Sequence, residues 1–304
     1  KEKSRILDSR SESGQKTEVP YVLEIFHIPG FPEHSNIKEL VYRSLVKAFI
    51  SYDVSRAKAA RIMNTDVGKF LELSGVPKNK LSLIPAIYVD LDVFKPMNVP
   101  KEYDLIFVGR LELNKGVDLL LKAIKNLKHQ IPNIKCLVVG EGPLKNNLSL
   151  EISHLSLQDN VTLFGYAKDS AEIADLINKS RILIMPSYNE GGPRVVVEAM
   201  ACGVPVLATP VGIVPDLLKN GPDTHENRGA IEDPRFANHA LHGANRDSGG
   251  EIIDWDAEDI AKKAEALLGD SERYAKLSNM AVEIAKSFEK KAAIKNYADE
   301  LQKL

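Results

Sequence analysis

Cysteine, tryptophan and net charge are all scarce in this chain of 304 residues, which has two cysteines, one tryptophan and a formal net charge of −2. The cysteines, Cys136 and Cys202, are far apart and have apolar neighbours, as is typical of core residues rather than of a disulfide framework. The near-neutral charge gives no overall attraction to nucleic acid. We therefore exclude a disulfide scaffold and a nucleic-acid binder, and we expect a reducing, cytoplasmic setting.

Long hydrophobic runs are also missing. No apolar stretch reaches the roughly 18 residues needed to cross a bilayer, and residues 1–19 are polar and predict a loop or disordered arm rather than a signal peptide. Charge is nevertheless uneven along the chain. Basic side chains crowd one early segment, at Arg43, Lys47, Arg56, Lys58, Arg61 and Lys69. This crowding indicates either a solvated helix face or a peripheral membrane surface.

The chain does have enough apolar residues for a sizeable core, at 44% hydrophobic against 27% charged. From Tyr103 onwards, short runs of valine, isoleucine and leucine alternate with helical patterns, which predicts a parallel sheet covered by helices on both faces. Two terminal helices are expected at 256–268 and 272–304, the first capped by Asp256. The polar stretch 220–251 is long for a connection, and indicates a mobile surface excursion or a functional flap.

The residues before Tyr103 predict fewer helices and strands. Strands are expected at 21–27 and 81–84, and helices at 37–48 and 66–74, with a break near 51–53 before another helical stretch. This is too short for a complete Rossmann-like domain. We expect a partial N-terminal Rossmann-like domain over 1–98, a doubly wound α/β domain over 99–285, and a terminal helix over 286–304 that crosses back to the N-terminal domain.

Two glutamates, Glu190 and Glu198, are separated by seven residues that begin with a Gly-Gly-Pro turn. An apolar strand at 181–185 precedes them, so Glu190 is expected on the loop at a strand's carboxyl end. Glu198 is expected about one turn inside the following helix. Helix amides hold phosphate and carboxylates accept from hydroxyls, so this crevice suits a ligand with a diphosphate and neutral hydroxyls.

Two cations, Arg110 and Lys115, follow the strand at 105–108, where a parallel sheet opens its ligand crevice. They would neutralise a diphosphate leaving group. The next strand ends in Gly140-Glu141-Gly142-Pro143, which resembles a dinucleotide fingerprint. Its third glycine is missing, since Lys145 and Asn146 stand there, so an oxidoreductase is disfavoured.

Together, these elements resemble the family 4 retaining glycosyltransferases of GT-B fold. The resemblance implies a nucleotide diphosphate-sugar donor held mostly by the C-terminal domain, with no metal and no cofactor. Glu190 would contact the sugar near the reacting carbon, Glu198 the ribose, and His27 would face the sugar across the interdomain cleft as a second catalytic candidate. The donor diphosphate would be held by Arg110, Lys115, Gly191 and Gly192, and the surrounding donor loops would include Gly109, Gly140, Pro193 and Arg194.

Some residues depart from the family's pattern. Gly192 replaces a commoner aromatic residue and Arg194 adds a charge, which leaves the sugar open. Asp90-Leu91-Asp92 resembles the metal motif of GT-A transferases, but it lies in a linker away from any crevice, and we interpret it as structural. The acceptor, whether glycan, lipid or small molecule, is not readable. Alternatives are a nucleotide-sugar-binding module without transfer activity and, less favoured, a sugar-nucleotide epimerase.

Overall fold

The computed structural model describes residues 21–28, 31, 33, 37–85, 87–218 and 248–303. The polar arm at 1–19 and most of the predicted excursion at 220–251 lie outside these residues. The described chain is an α/β protein with two parallel sheets. One sheet belongs to an N-terminal unit and the other to a larger C-terminal unit.

In the part of the chain that the structure describes, the N-terminal unit is a small parallel sheet of order β1-β2-β3 with two helices. Its elements are β1 Val22–Ile25, α1 Ile37–Arg56, β2 Ala59–Ile62, α2 Thr65–Leu73 and β3 Leu81–Leu83. Buried Val54, Ile62 and Leu71 pack between the sheet and the helices. These three strands make an incomplete Rossmann-like unit, as the sequence predicts.

Strand β2 was not predicted, because Ala59-Ala60-Arg61 favours a helix when taken alone. Tertiary contacts decide otherwise, since all four residues of β2 are buried and Arg61 is only 2% exposed. Its guanidinium donates to Ile84 O and to Glu24 Oε1, both at 2.8 Å. Arg61 therefore does not belong to the charged surface that the sequence indicates.

Helix α1 is continuous, so the break predicted near 51–53 is wrong. Ser51 stays helical while its hydroxyl donates to Gly75 O at 3.0 Å. The outer side of the helix has large apolar side chains beside exposed charged ones. Its large exposed side chains are Ile37, Val41, Tyr42, Leu45, Phe49 and Tyr52. We call this set the α1 apolar face.

The described residues of the C-terminal unit form six parallel strands in the order β6-β5-β4-β7-β8-β9, which confirms the doubly wound domain. Its strands are β4 Tyr103–Val108, β5 Cys136–Val139, β6 Val161–Gly165, β7 Ser180–Met185, β8 Val206–Ala208 and β9 Gly250–Ile252. Between them lie α3 Val117–Gln130, α4 Lys145–His154, α5 Ser170–Asn178, α6 Arg194–Ala201 and α7 Val214–Leu217. The order reverses between β4 and β7, so the loops after these two strands flank a crevice.

Apolar side chains cover both faces of this sheet. Helix α3 contributes a continuous stripe that includes Leu120, Ile124 and Leu127, all buried. Cys136 and Cys202 are buried free thiols, as predicted. Burial raises the pKa of Cys202 to about 12, which keeps it protonated and unreactive.

Three helices follow β9 in the described residues: α8 Ala257–Gly269, α9 Ser271–Lys286 and α10 Lys290–Lys303. Asp256 caps α8 as predicted, accepting from two backbone amides. The single helix predicted at 272–304 is two helices. They are interrupted where Glu289 pairs with Val89, and Phe288 O accepts from Val89 N at 2.8 Å.

The segment beside this break contains the Asp-x-Asp motif. Asp90 pairs with Lys290 at 3.1 Å, and this hydrogen bond lowers the pKa of the Asp90 carboxyl. The contact agrees with a structural role for the motif. Further along α10, Tyr297 donates its hydroxyl to Glu24 Oε1 at 3.0 Å, so the terminal helix contacts the N-terminal unit.

Candidate functional site

The loops after β4 and β7 are joined at the crevice where the strand order reverses. Lys115 Nζ donates to Glu190 Oε1, and Tyr188 N donates to Asn114 O at 2.8 Å. Gly116 allows this approach with a left-handed φ of 65°, and a Cβ there would lie 2.1 Å from Pro186 O. The structure thus brings together Lys115 and Glu190, two of the predicted site residues.

A second hydrogen bond fixes Glu190. Ser187 Oγ lies 3.1 Å from the same Glu190 Oε1. Ser187 is itself held, because its carbonyl accepts from Thr209 Oγ1 at 2.6 Å and from Trp255 Nε1 at 2.9 Å. Sequence reasoning missed Ser187, although its place three residues before Glu190, on the same strand-end loop, was a usable signal.

A cavity of about 270 Å³ opens at this point. The ends of β4 and β7 form its floor with Phe107, Val108 and Met185. Its polar and loop lining comprises Lys115, Ser187, Glu190, Gly192, Pro193, Arg194 and Val195. One cation and one carboxylate therefore face each other above an apolar floor, and a second cation, Arg194, lines the same space.

Glu198 lies one turn inside α6, as the sequence predicts. Its side chain is 12% exposed, and Arg194 Nη2 approaches Glu198 Oε1 at 3.5 Å. Burial raises the pKa of the Glu198 carboxyl, and the Arg194 charge opposes that rise. The Arg194 guanidinium also lies over the Tyr88 ring, 4.8 Å from its centroid. Sequence reasoning missed Tyr88, which lies in the segment joining the two units.

Arg110 is not brought into this cavity. Its side chain is 72% exposed and its Nη1 pairs with Glu112 Oε1 at 2.8 Å. The backbone beside it is packed tightly against the next loop. A Cβ at Gly140 would lie 1.8 Å from Gly109 O, so these two predicted loop residues hold the strand ends close together.

The N-terminal unit meets the site at Gly191. A Cβ there would lie 2.7 Å from Phe26 O, and Asn64 Nδ2 donates to Gly191 O at 3.4 Å. His27, the next residue after Phe26, is exposed and is not among the residues that line the cavity. Asn64 was missed as a site neighbour, although an asparagine before a helix is a common N-cap, and its Oδ1 accepts from Val67 N.

Among the residues that the structure describes, no group of three or more His, Cys, Asp or Glu side chains is arranged to hold a metal ion. None of the helices in the described part of the chain combines the length and apolar character needed to cross a membrane.

The part of the chain that contains Lys115, Glu190 and Glu198 matches a known protein family. The family described as Glycosyl transferases group 1 matches residues 90–244, just over half of the chain. D-inositol 3-phosphate glycosyltransferase of Segniliparus rotundus is 31% identical over 170 residues, which are 51% of this chain and 37% of that protein. A phosphatidylinositol N-acetylglucosaminyltransferase chain of Arabidopsis thaliana is 29% identical over 220 residues, 68% of this chain and 47% of that protein.

Among solved structures, HepE of Anabaena, crystallised in complex with UDP and glucose, superposes with a TM-score of 0.69 at 20% identity. The match covers 94% of this chain and 72% of HepE. The chain spans less than half the length of the curated relatives it matches, between 31% and 47% for four of them. The whole-chain superposition agrees with the GT-B arrangement of two Rossmann-like units.

Proposed function

Because the chain belongs to the Glycosyl transferases group 1 family, we propose that it transfers a sugar from a nucleotide diphosphate-sugar to an acceptor hydroxyl. We place it in family 4 of these enzymes, and we propose that the configuration of the sugar is retained. The observation that carries this proposal is the Lys115–Glu190 pair at the strand-order reversal, with Glu198 one turn inside the adjoining helix. This arrangement offers a cation for phosphate and carboxylates for hydroxyls.

In the proposed complex, Lys115 neutralises charge on the diphosphate, and Arg110 joins it by swinging its exposed side chain away from Glu112. Gly191 and Gly192 let the phosphate and sugar approach without a Cβ in the way. Glu190 accepts from a sugar hydroxyl and Glu198 from the ribose. Since cations of the chain carry the charge that develops on the leaving group, we propose transfer without a metal or other cofactor.

The proposed reaction is a displacement on one face of the sugar. The acceptor oxygen forms a bond to the anomeric carbon on the face from which the diphosphate leaves. The bond from that carbon to the diphosphate oxygen breaks with its electron pair on the diphosphate, which also takes the acceptor's proton. His27 would face the sugar from the N-terminal side, where its neighbour Phe26 already approaches Gly191.

We propose that the acceptor is presented at a membrane surface. One relative is named for phosphatidylinositol, a membrane lipid. The α1 apolar face offers several large exposed side chains, and Lys38 and Lys47 of the same helix are exposed. Such a helix would rest at the boundary of an anionic leaflet, which would place the enzyme on the cytoplasmic side. Phe49→Glu should then reduce co-sedimentation with phosphatidylglycerol vesicles, while Leu73→Glu, at an exposed position at the end of α2, should not.

The alternative is a nucleotide-sugar-binding module without transfer activity. It is favoured by the location of Lys115, Glu190 and Glu198, all of which lie in the C-terminal unit, so donor binding does not by itself require an acceptor site. The two functions differ in their products. A transferase forms a new glycosidic bond, whereas a binding module at most hydrolyses the donor slowly, so product analysis with purified protein separates them.

The first experiment is a thermal-shift screen against UDP-, GDP- and ADP-sugars. A free donor concentration about 100 times Kd should raise the free energy of unfolding by about 2.7 kcal/mol. Turnover with the stabilising donor should then fall by about 100-fold or more in Lys115→Met and in Glu190→Gln. Lys122→Met is the matched control, because Lys122 pairs with Asp118 on the exposed side of α3. Wild-type turnover in either site variant would contradict the proposal.

A further inference from the structure

Arg194 is the cavity-lining charge that the proposed reaction leaves unassigned. It is the first residue of α6, and it shares the cavity with Lys115. Two contacts hold it there. Its guanidinium carbon lies over the Tyr88 ring, and its Nη2 approaches Glu198 Oε1.

These two contacts leave N–H donors of the Arg194 guanidinium available for a ligand. The 3.5 Å separation from Glu198 is long for a charge-assisted hydrogen bond, which is usually about 2.7–2.9 Å. The contact with Tyr88 is a cation–π contact, which does not require the N–H donors of the guanidinium to bond to an acceptor. The side chain is 51% exposed, so a ligand in the cavity can reach those donors.

The start of α6 adds positive potential to this charge. Pro193 provides no capping side chain, and the first turn contains no acidic residue. A cation at a helix N-terminus is unfavourable unless an anion compensates it. Arg194 and Lys115 therefore place two positive charges around one cavity. Among the described residues, their ion-pair partners are Glu198 and Glu190, the carboxylates proposed to bind hydroxyls.

We propose that Arg194 binds the diphosphate of the donor together with Lys115, and that its ion pair with Glu198 breaks when it does so. Tyr88 keeps the guanidinium in place during this exchange of partners. The exchange frees the Glu198 carboxylate to accept from the ribose, so phosphate binding and ribose binding reinforce each other. This inference rests on the proposed function and adds a diphosphate-binding residue to it.

Isothermal titration tests the inference with UDP, GDP and ADP and their matching nucleosides, uridine, guanosine and adenosine. For the diphosphate that the wild type binds, Arg194→Met should weaken affinity about tenfold, and Arg194→Lys should weaken it less. Affinity for the matching nucleoside should change less than twofold or should improve. The diphosphate affinity of Arg194→Met should also depend less on salt.

Arg181→Met is the matched control. Arg181 also lies over a tyrosine ring, that of Tyr274, and near a carboxylate, that of Asp104, but at the opposite end of β7. Its replacement should leave the affinity of every ligand unchanged.

Three results would overturn the inference. Equal weakening of nucleoside and diphosphate in Arg194→Met would indicate a purely structural role. An unchanged diphosphate affinity would exclude phosphate binding. If, in addition, Arg194→Met lowered the affinity for UDP-glucuronate but not for UDP-glucose, Arg194 would instead recognise an acidic sugar. If the wild type binds none of the three diphosphates, the proposed function itself fails, and this inference fails with it.

Discussion

Lys115 and Glu190 neutralise each other across the crevice, with side chains only 18% and 15% exposed. Each comes from a different strand-end loop, so the ion pair is also a tie between the loops after β4 and β7. A donor that engages Lys115 must compete with Glu190 or bridge the two. The pair therefore links the stability of the free protein to the binding of its ligand.

The first prediction concerns this tie. Lys115→Met and Glu190→Gln should each lower the free energy of unfolding by about 1–3 kcal/mol, because each leaves a poorly hydrated partner unpaired. The double variant should lose less than the sum of the single losses. Urea unfolding of the four proteins measures the coupling. Strict additivity would show that the ion pair does not stabilise the loops.

A second prediction concerns the backbone at the same point. Gly116→Ala should destabilise the protein by at least about 2 kcal/mol, because alanine disfavours the left-handed conformation and its Cβ would collide with Pro186 O. It should also weaken binding of the donor.

Gly269→Ala is the control for this substitution. Gly269 ends α8, and apart from its chain neighbours and its own helix no atom of the described residues lies within 4 Å of its Cβ position, so its replacement should leave stability unchanged or slightly raised. Equal losses in both variants, measured by thermal unfolding, would contradict the close approach of the two loops.

The third prediction is a dependence of stability on pH. Burial raises the pKa of Glu198 in the folded protein, so the native state binds more protons than the unfolded state between the two pKa values. The contribution of Glu198 to the free energy of unfolding therefore falls as pH rises from the unfolded pKa through the folded one. Glu198→Gln should be more stable than wild type at pH 7, with the difference shrinking towards pH 4.

The same variant should bind nucleotide more weakly if Glu198 accepts from the ribose. Stability and binding would then change in opposite directions, as is common where a carboxylate is kept in a binding site. Thermal unfolding at pH 4 and pH 7, with and without the stabilising donor, measures both effects. A variant that is less stable at pH 7 would contradict a destabilising burial of this carboxylate.

The sequence predicted the C-terminal unit well because its signals are local. Continuous apolar strands, the Gly-Gly-Pro turn and the spacing of Glu190 and Glu198 determine where each carboxylate lies relative to the sheet. Ser187 had a local signal, its place three residues before Glu190, but its hydrogen bond to Glu190 and the role of Tyr88 could not be read from the sequence. Their importance depends on contacts with Glu190 and Arg194, and the contact of Tyr88 with Arg194 joins segments far apart in the chain.

Arg110 shows a different limit of prediction. Its place after β4 was predicted, but the direction of a long, exposed side chain depends on the nearest counter-charge. That charge is Glu112, only two residues away. Strand β2 was missed for a related reason, because the partners that bury Arg61 come from β1 and from the segment after β3.

The last prediction concerns the buried Arg61 and its contact with α10. The guanidinium lies 4.6 Å from the centroid of the Tyr297 ring, while the Tyr297 hydroxyl donates to Glu24, the ion-pair partner of Arg61. These contacts hold the terminal helix against the N-terminal sheet. Arg61→Met should cost about 2–3 kcal/mol, because it leaves Ile84 O without its donor and Glu24 without its cation.

Substitutions of Tyr297 separate its two contributions. Tyr297→Phe removes only the hydrogen bond and should cost about 0.5–1.5 kcal/mol, whereas Tyr297→Ala also removes the ring from Arg61 and should cost more. Hydrogen exchange locates the effect: amides of β1 and β2 should exchange faster in Tyr297→Ala, and those of β4 and β7 should not. Tyr274→Phe removes a tyrosine hydrogen bond to Arg181 O within the C-terminal unit. In this variant the amides of β4 and β7 should exchange faster, and those of β1 and β2 should not. Faster exchange throughout both sheets in Tyr297→Ala would show that the Tyr297 contact stabilises both units, and not the N-terminal unit alone.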